Sequence, residues 1–374
     1  MMKILFLGTY ADGECLRGPE KVARRVVDEL HLLGQQVSFI EYYSSGKRYN
    51  YWDKLFNQSN VQTASGIPVH RMGIVPLLYH LSVNHYDVVH VITFERFAIV
   101  VFLLKPLCRF TMFVTVHGIV RHQNLNYRKK TDKFLFLKDT ICEYIFMRFA
   151  DCLCFLSDQS KTIASLYYPV NNKQVRIVSN GVDDAFRISK RKLKPDTQRI
   201  SIIFIGDPER PEKGYSFFMD TLLRYTCSAD AYIICEQPPA DAIREQGSMS
   251  IHYLKKMCTT EYVCFLQDKD IYVNASSYES FSISAVEAMS IGLVPIVTRE
   301  TGMSRYIRDG ENGFIITYGD KSTLLHVLER LSVDAALRRS VSNEATNIFP
   351  LLTWNNIAQE YVKHYSCYSQ KKKK

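Results

Sequence analysis

The chain has 374 residues, 47% of them hydrophobic and 23% charged. That excludes a disordered chain and a small scaffold stapled by disulfides or metal, and it fits two domains of roughly 150–200 residues. The net charge of +9 is lopsided, with 24 Lys/Arg against 16 Asp/Glu in residues 1–190 and 23 against 22 in residues 191–374. A basic first half suits an anionic partner such as membrane lipid or a lipid-linked pyrophosphate. It has no interleaved aromatic–arginine repeat, so no nucleic-acid partner is expected.

Residues 3–8, Lys-Ile-Leu-Phe-Leu-Gly, read as a buried parallel strand closed by glycine. A helix is expected over about 19–33, with Val22, Val26, Leu30 and Leu33 on one face and Gly34 just past its end. Residues 37–42 give the next strand, so the chain opens as a Rossmann-like unit. Strand-like runs follow at 88–92, 111–116, 152–156 and 174–178, with helices over 131–149 and 157–167. A turn cluster and the basic, proline-containing stretch 190–195 mark the domain boundary. The rhythm then restarts, with strands at 200–206, 231–235, 250–254, 270–274, 293–298 and 313–316. Helices are expected over 215–225 and 283–291, and a last one over about 354–365.

Ten cysteines are scattered, and only Cys152 and Cys154 are close, on one face of a strand. No zinc spacing follows, so the thiols read as buried or idle in a reducing compartment. The first ten residues lack a signal-peptide core. The longest apolar run, 97–104, is eight residues, against roughly 20 for a spanning helix. The expected location is the cytoplasm, in solution or peripherally on the inner face of the membrane. The contact would involve the basic first half, the stretch 96–109 and the lysines 371–374.

The most specific passage is Tyr272 to Gly292, YVNASSYESFSISAVEAMSIG, with seven residues between Glu279 and Glu287. Glu279 falls in a loop, and the helix starting at Ile283 aims its free N–H groups into the same space. Two carboxylates beside a helix N-terminus can hold a sugar hydroxyl, a ribose and a diphosphate in line.

This passage resembles the E-x7-E signature of retaining GT-B glycosyltransferases, the group 1 and family 4 type. The resemblance implies two Rossmann-like α/β domains facing a cleft, over 1–190 and 191–350. Residues 351–374 would form a helix crossing back to the first domain, with a basic tail. It implies that Glu279 contacts the transferred sugar, Glu287 the ribose, and the backbone at Ser282 and Ile283 the diphosphate. The family usually has glycine where Ser282 stands. In Phe204-Ile-Gly-Asp-Pro-Glu-Arg-Pro-Glu-Lys-Gly214, Lys213 and Gly214 match a motif whose cations neutralise the diphosphate. Asp207 occupies the family's arginine position, so Arg210 becomes the candidate second cation, the alternative being a solvated loop arginine.

Backbone around Met257, after Lys255 and Lys256, would hold the base, while Cys235 and Glu236 replace a glycine-rich turn. Arg17-Gly18-Pro19-Glu20 resembles the G-G-x-E loop, with Gly18 on the donor side or simply opening a helix. His117, at a strand end, would lie beside the donor sugar, although a lone histidine is more often structural. Asn180-Gly181-Val182-Asp183 matches an interdomain marker. No cofactor is expected beyond the nucleotide-diphosphate sugar itself, UDP-linked, and the acceptor would be an envelope glycan or its lipid-linked precursor. No metal site is expected, the D-x-D motif of the other major glycosyltransferase fold not being recognised. A dehydrogenase would need G-x-G-x-x-G after the first strand, and Gly8 to Gly13 lacks it. The substitutions at Asp207 and Cys235 leave open a catalytically degenerate binding subunit.

Overall fold

The computed structural model describes residues 1–372 apart from 11–17, 43–50, 62–64, 95, 128–132, 171–173, 188–198, 240 and 242. Cys15, Arg17, the stretch 190–195 and the lysines 373 and 374 therefore lie outside the described residues. The chain forms two compact units, Met1–Asn180 with Trp354–Lys374, and Gly181–Thr353. The division thus falls ahead of residue 190, and the C-terminal segment belongs to the first unit.

The first unit runs β1 (Lys3–Gly8), α1 (Gly18–Leu32), β2 (Gln36–Tyr42), α2 (Tyr51–Phe56), β3 (Gln58–Val61), β4 (Val69–Met72), α3 (Ile74–Val83) and β5 (Val88–Val91). It continues α4 (Val101–Cys108), β6 (Thr111–Val116), α5 (Val120–Asn126), α6 (Lys133–Phe149), β7 (Cys152–Phe155), α7 (Asp158–Tyr167) and β8 (Val175–Ile177). Its sheet has the order β3-β4-β2-β1-β5-β6-β7-β8, parallel except for the edge strand β3. The second unit runs β9 (Ile200–Ile205), α8 (Tyr215–Leu222), β10 (Ala229–Cys235), β11 (Ile243–Gln246), β12 (Met249–Lys255), α9 (Thr259–Leu266) and β13 (Ile271–Asn274). Then come α10 (Ile283–Ile291), β14 (Val294–Thr298), β15 (Phe314–Ile316), α11 (Lys321–Val333) and α12 (Ala335–Ala345). Its sheet has the order β11-β12-β10-β9-β13-β14-β15, with β11 the antiparallel edge. The last helix, α13 (Trp354–Lys372), belongs to the first unit.

The short, near-continuous apolar strands are buried on both faces, as parallel sheets require. In the first unit Leu5 and Leu7 pack with Leu77, Leu81, Val101, Phe146 and Met147 from α3, α4 and α6. The alternate residues face the other way, where Phe6 meets Phe39 and His90, and α1 packs against α13. Val22, Val26 and Leu30 supply the inward stripe of α1 as the spacing predicts, joined by Ala23 and Val27. The nine described cysteines are free thiols. The run 97–104 does not form one buried helix. A 3₁₀ turn, Arg96–Val100, leads into α4, which exposes Leu103 and Leu107.

α13 docks through polar groups as well as rings. His90, fully buried mid-sheet, shares hydrogen bonds with Tyr365 Oη (2.6 Å) and Thr115 Oγ1 (2.8 Å). Thr115 in turn meets Tyr361 Oη at 3.1 Å. Burial lowers the His90 pKa to about 3, with the nearby His117 adding to the effect. The folded imidazole is therefore neutral, whereas an unfolded histidine takes a proton near pH 6.5. Between pH 6.5 and 3 the unfolded chain binds the extra proton, so stability falls as pH falls, by up to about 1.4 kcal/mol per pH unit from this group. Urea denaturation should give a lower midpoint at pH 5 than at pH 7. An unchanged or higher midpoint at pH 5 would contradict the buried neutral histidine.

Candidate active site

In the second sheet the strand order reverses at β9, with β10 on one side and β13 on the other. Loops leaving the C-terminal ends of two such strands diverge and leave a crevice, the usual ligand position in open α/β sheets. Both motif passages fall there, one in the loop after β9 and one in the loop after β13. Their backbones are in contact. Gly214 has φ +73°, and a Cβ on it would lie 1.8 Å from the Ala275 carbonyl oxygen. The Ser277 N–H donates to Glu212 O at 2.9 Å.

That contact puts Lys213 on Glu279, Nζ to Oε1, at 2.9 Å. The other carboxylate oxygen accepts from Asn274 Nδ2 (2.9 Å) and Ser276 Oγ (3.2 Å). Burial would raise the Glu279 pKa, but the Lys213 ammonium and these hydrogen bonds outweigh it and hold the pKa below its ordinary value. Glu279 is therefore a fixed anion at neutral pH. Its own backbone is pinned, N–H to Glu300 O and C=O to the Gly302 N–H.

Ser282 N-caps α10 with φ +90°, one of two non-glycine residues with positive φ among those described. Serine thus adopts the backbone for which the family uses glycine, at a steric cost of roughly 1–2 kcal/mol. A hydrogen bond from Asn274 Nδ2 to its Oγ, 2.8 Å, offsets part of it. Ile283 opens α10, its N–H among the free donors of the first turn. Glu287 is buried in α10, 7% exposed. The Tyr262 hydroxyl of α9 lies buried beside it without a hydrogen-bond partner among the described residues, and burial and then the Glu287 charge push its pKa well up.

The other expected residues divide. Arg210 donates to Glu212 Oε1 from Nε (2.9 Å) and Nη2 (2.8 Å), with its side chain half exposed. Asp207 accepts the Glu236 N–H at 2.6 Å and so closes the end of β10. Met257 is part-exposed in the link from β12 to α9. Gly18 and His117 belong to the first unit. Gly18 begins α1, and a Cβ there would meet none of the described residues within 4 Å. His117 donates from Nε2 to Ile92 O at 2.7 Å, which leaves Nδ1 as the acceptor of a neutral ring. Burial pulls its pKa to about 4. One D-x-D triplet, Asp268-Lys269-Asp270, does occur, contrary to the motif reading. Asp270 accepts from Ser201 N and Oγ, both at 2.9 Å, and Asp268 pairs with Lys269. Asn274, Ser276 and Tyr262 are the site residues that motif reading misses. Asn274 is polar at the end of an apolar strand, and that was the available signal.

Two sequence families match along the chain, Glycosyltransferase Family 4 over residues 16–186 and Glycosyl transferases group 1 over residues 199–334. The chain belongs to the group 1 and family 4 glycosyltransferases. It is therefore an enzyme of a sugar-transferring family, with the two-domain GT-B fold. Its relatives include the D-inositol 3-phosphate glycosyltransferase of Corynebacterium urealyticum, 23% identical over 71% of this chain and 68% of that protein. The GDP-mannose:cellobiosyl-diphosphopolyprenol alpha-mannosyltransferase of Xanthomonas campestris is 23% identical over 84% and 86%. Among solved structures, sucrose-phosphate synthase of Thermosynechococcus elongatus superposes with TM-score 0.76 at 15% identity, over 98% of this chain and 99% of that one. HepE of Anabaena, solved with UDP-glucose, gives 0.72 at 16% identity, over 98% and 100%. At such identities the structural likeness is one of fold.

Gly214→Ala should cost the transferase about 2 kcal/mol or more, from positive φ plus the clash with Ala275, and should move Lys213 off Glu279. Thermal unfolding with a donor-hydrolysis assay checks this. Wild-type stability and turnover would mean that the two loops separate without consequence.

Proposed function

We propose that this protein transfers a sugar from a nucleotide-diphosphate donor, UDP-linked, to a cell-envelope glycan acceptor with retention of configuration. The observation that carries the reading is the Lys213–Glu279 pair at the strand reversal, two opposite fixed charges beside the first turn of α10. As the glycosidic C1–O bond breaks, its electrons pass to the leaving diphosphate. Lys213 and the first-turn N–H groups of α10 stabilise that charge without reorganising. Arg210, released from Glu212, would add a second cation. Glu279 holds a hydroxyl of the transferred sugar and favours positive charge developing at C1. Glu287 takes the ribose. The acceptor oxygen bonds C1 on the face the phosphate leaves, and its proton goes to the leaving phosphate. No metal takes part.

Envelope biosynthesis is favoured by a relative whose name gives a polyprenol-linked saccharide as acceptor, the Xanthomonas GDP-mannose:cellobiosyl-diphosphopolyprenol alpha-mannosyltransferase. We extend the reading to a lipid-linked acceptor met by a cytoplasmic protein at the inner membrane surface. A panel of nucleotide sugars, screened by thermal shift and then by hydrolysis, identifies the donor. If none binds or turns over, the chain is a degenerate binding subunit instead.

Glu279→Gln should lower kcat by about 100-fold or more with the unfolding temperature little changed. Near-normal turnover would remove Glu279 from the chemistry. Lys213→Ala should lower kcat by a similar factor while raising KM much less, because the diphosphate gains charge during bond breakage. Activity lost to EDTA and restored by a divalent ion would refute the metal-free mechanism.

A further inference from the structure

The first sheet is covered on one face by α3, α4 and α6, whose outward sides are apolar. α6 buries Phe146 and Met147 yet exposes Phe134 (64%), Leu137 (54%), Ile141 (48%) and Tyr144 (45%). Their spacing of three, four and three residues sets them on one stripe. The adjoining α4 exposes Leu103 and Leu107, one turn apart. Lys105 of α4 ties the two helices, donating to Phe149 O at 2.7 Å.

The exposed charges of the three helices share one sign, and the one carboxylate paired with them, Asp151 just past α6, is held by Lys105 at 2.9 Å. Lys133, Lys138 and Arg148 are the exposed charged residues of α6, and Lys138 Nζ lies 4.1 Å from the Phe134 ring centre. Both carboxylates of α6 point inward. Asp139 takes the Arg96 guanidinium at 2.5 Å. Glu143 accepts from the Val120 and Arg121 N–H groups and from Tyr168 Oη. α3 and α4 contain no Asp or Glu. The result is an apolar stripe rimmed by cations, with no exposed carboxylate on the three helices.

A contiguous exposed apolar stripe marks a partner surface. A second copy would bring cationic rims together, whereas an anionic bilayer supplies both opposite charge and apolar depth. We propose that the α4–α6 face docks on an anionic lipid surface, with α6 lying in the headgroup plane and Phe134, Leu137 and Ile141 dipping beneath it. This rests on the membrane part of the reading above and, within the basic first half, centres the contact on α6 beside the stretch 96–109. The transfer reaction stands apart from it.

The test is sedimentation of the full chain with phosphatidylglycerol-containing or pure phosphatidylcholine vesicles across a salt series. A Leu137→Ser/Ile141→Ser variant and a Lys133→Glu/Lys138→Glu variant are compared with wild type. Wild type should prefer the anionic vesicles, less so at high salt. Each variant should bind them about tenfold or more weakly, with unfolding temperature and donor hydrolysis in solution unchanged. If the variants bind as wild type does, the protein reaches membranes by another face and this inference falls while the membrane reading survives. If wild type binds neither vesicle, or forms a dimer in solution that the serine variant abolishes, the inference and the membrane reading fall together. The donor assay then still decides the transfer reaction.

Discussion

The second unit is organised around the contact between Gly214 and the Ala275 carbonyl. A Cβ at that spot would overlap the oxygen, so only glycine lets the loops after β9 and β13 meet. The Ser277–Glu212 backbone bond and the Lys213–Glu279 ion pair follow from it. So does the electrostatic state of Glu279. A part-buried carboxylate left alone would drift toward neutrality, and Lys213, Asn274 and Ser276 prevent that. A fixed charge beside a helix N-terminus is the kind of preorganised field from which transferases draw rate.

Around this contact the surrounding elements limit movement. α10 is buried from Ala285 to Ile291, hemmed by α9, α12 and the 3₁₀ turns Asp184–Phe186 and Thr346–Leu351. Its N-terminus is therefore held still, and Ser282 keeps its left-handed backbone because Asn274 ties it to the end of β13. Asn274 serves three neighbours at once, since its Oδ1 also accepts the Ser276 N–H at 3.0 Å. In the same unit, the acid at Asp207 has a structural occupation in closing β10. That gives the anion at the family's arginine position a structural role.

The first unit shows the same economy with polar burial. His90 is tolerated at the centre of a sheet because Tyr365 and Thr115 complete its hydrogen bonds. Buried, satisfied polar groups of this kind fix one docking of α13 where apolar contacts alone would accept several. Glu143 and Asp139 are likewise paired inward, and the exposed charges of α6 are left entirely cationic.

Much of this was written in the sequence. The hydrophobic runs gave β1, β5, β6, β7, β9, β13 and β14 to within a residue or two, and Gly292 ended α10 where expected, because strand burial and helix stops are local properties. Glu279, Glu287, Lys213 and Gly214 were legible because their motifs tie chemistry to fixed spacing. The short edge strand β3, its neighbour β4 and the helices α2 and α3 were not, since their pattern is weak and their neighbours in the sheet decide them. Spacing could not reveal that Lys213 touches Glu279, 66 residues away, nor that Asn274 supports both Glu279 and Ser282. Nor could it reveal that the two carboxylates of α6 face inward while Phe134 and Leu137 face out. Those outcomes depend on which strands become neighbours, and that is set by the packing of the whole sheet rather than by any one segment.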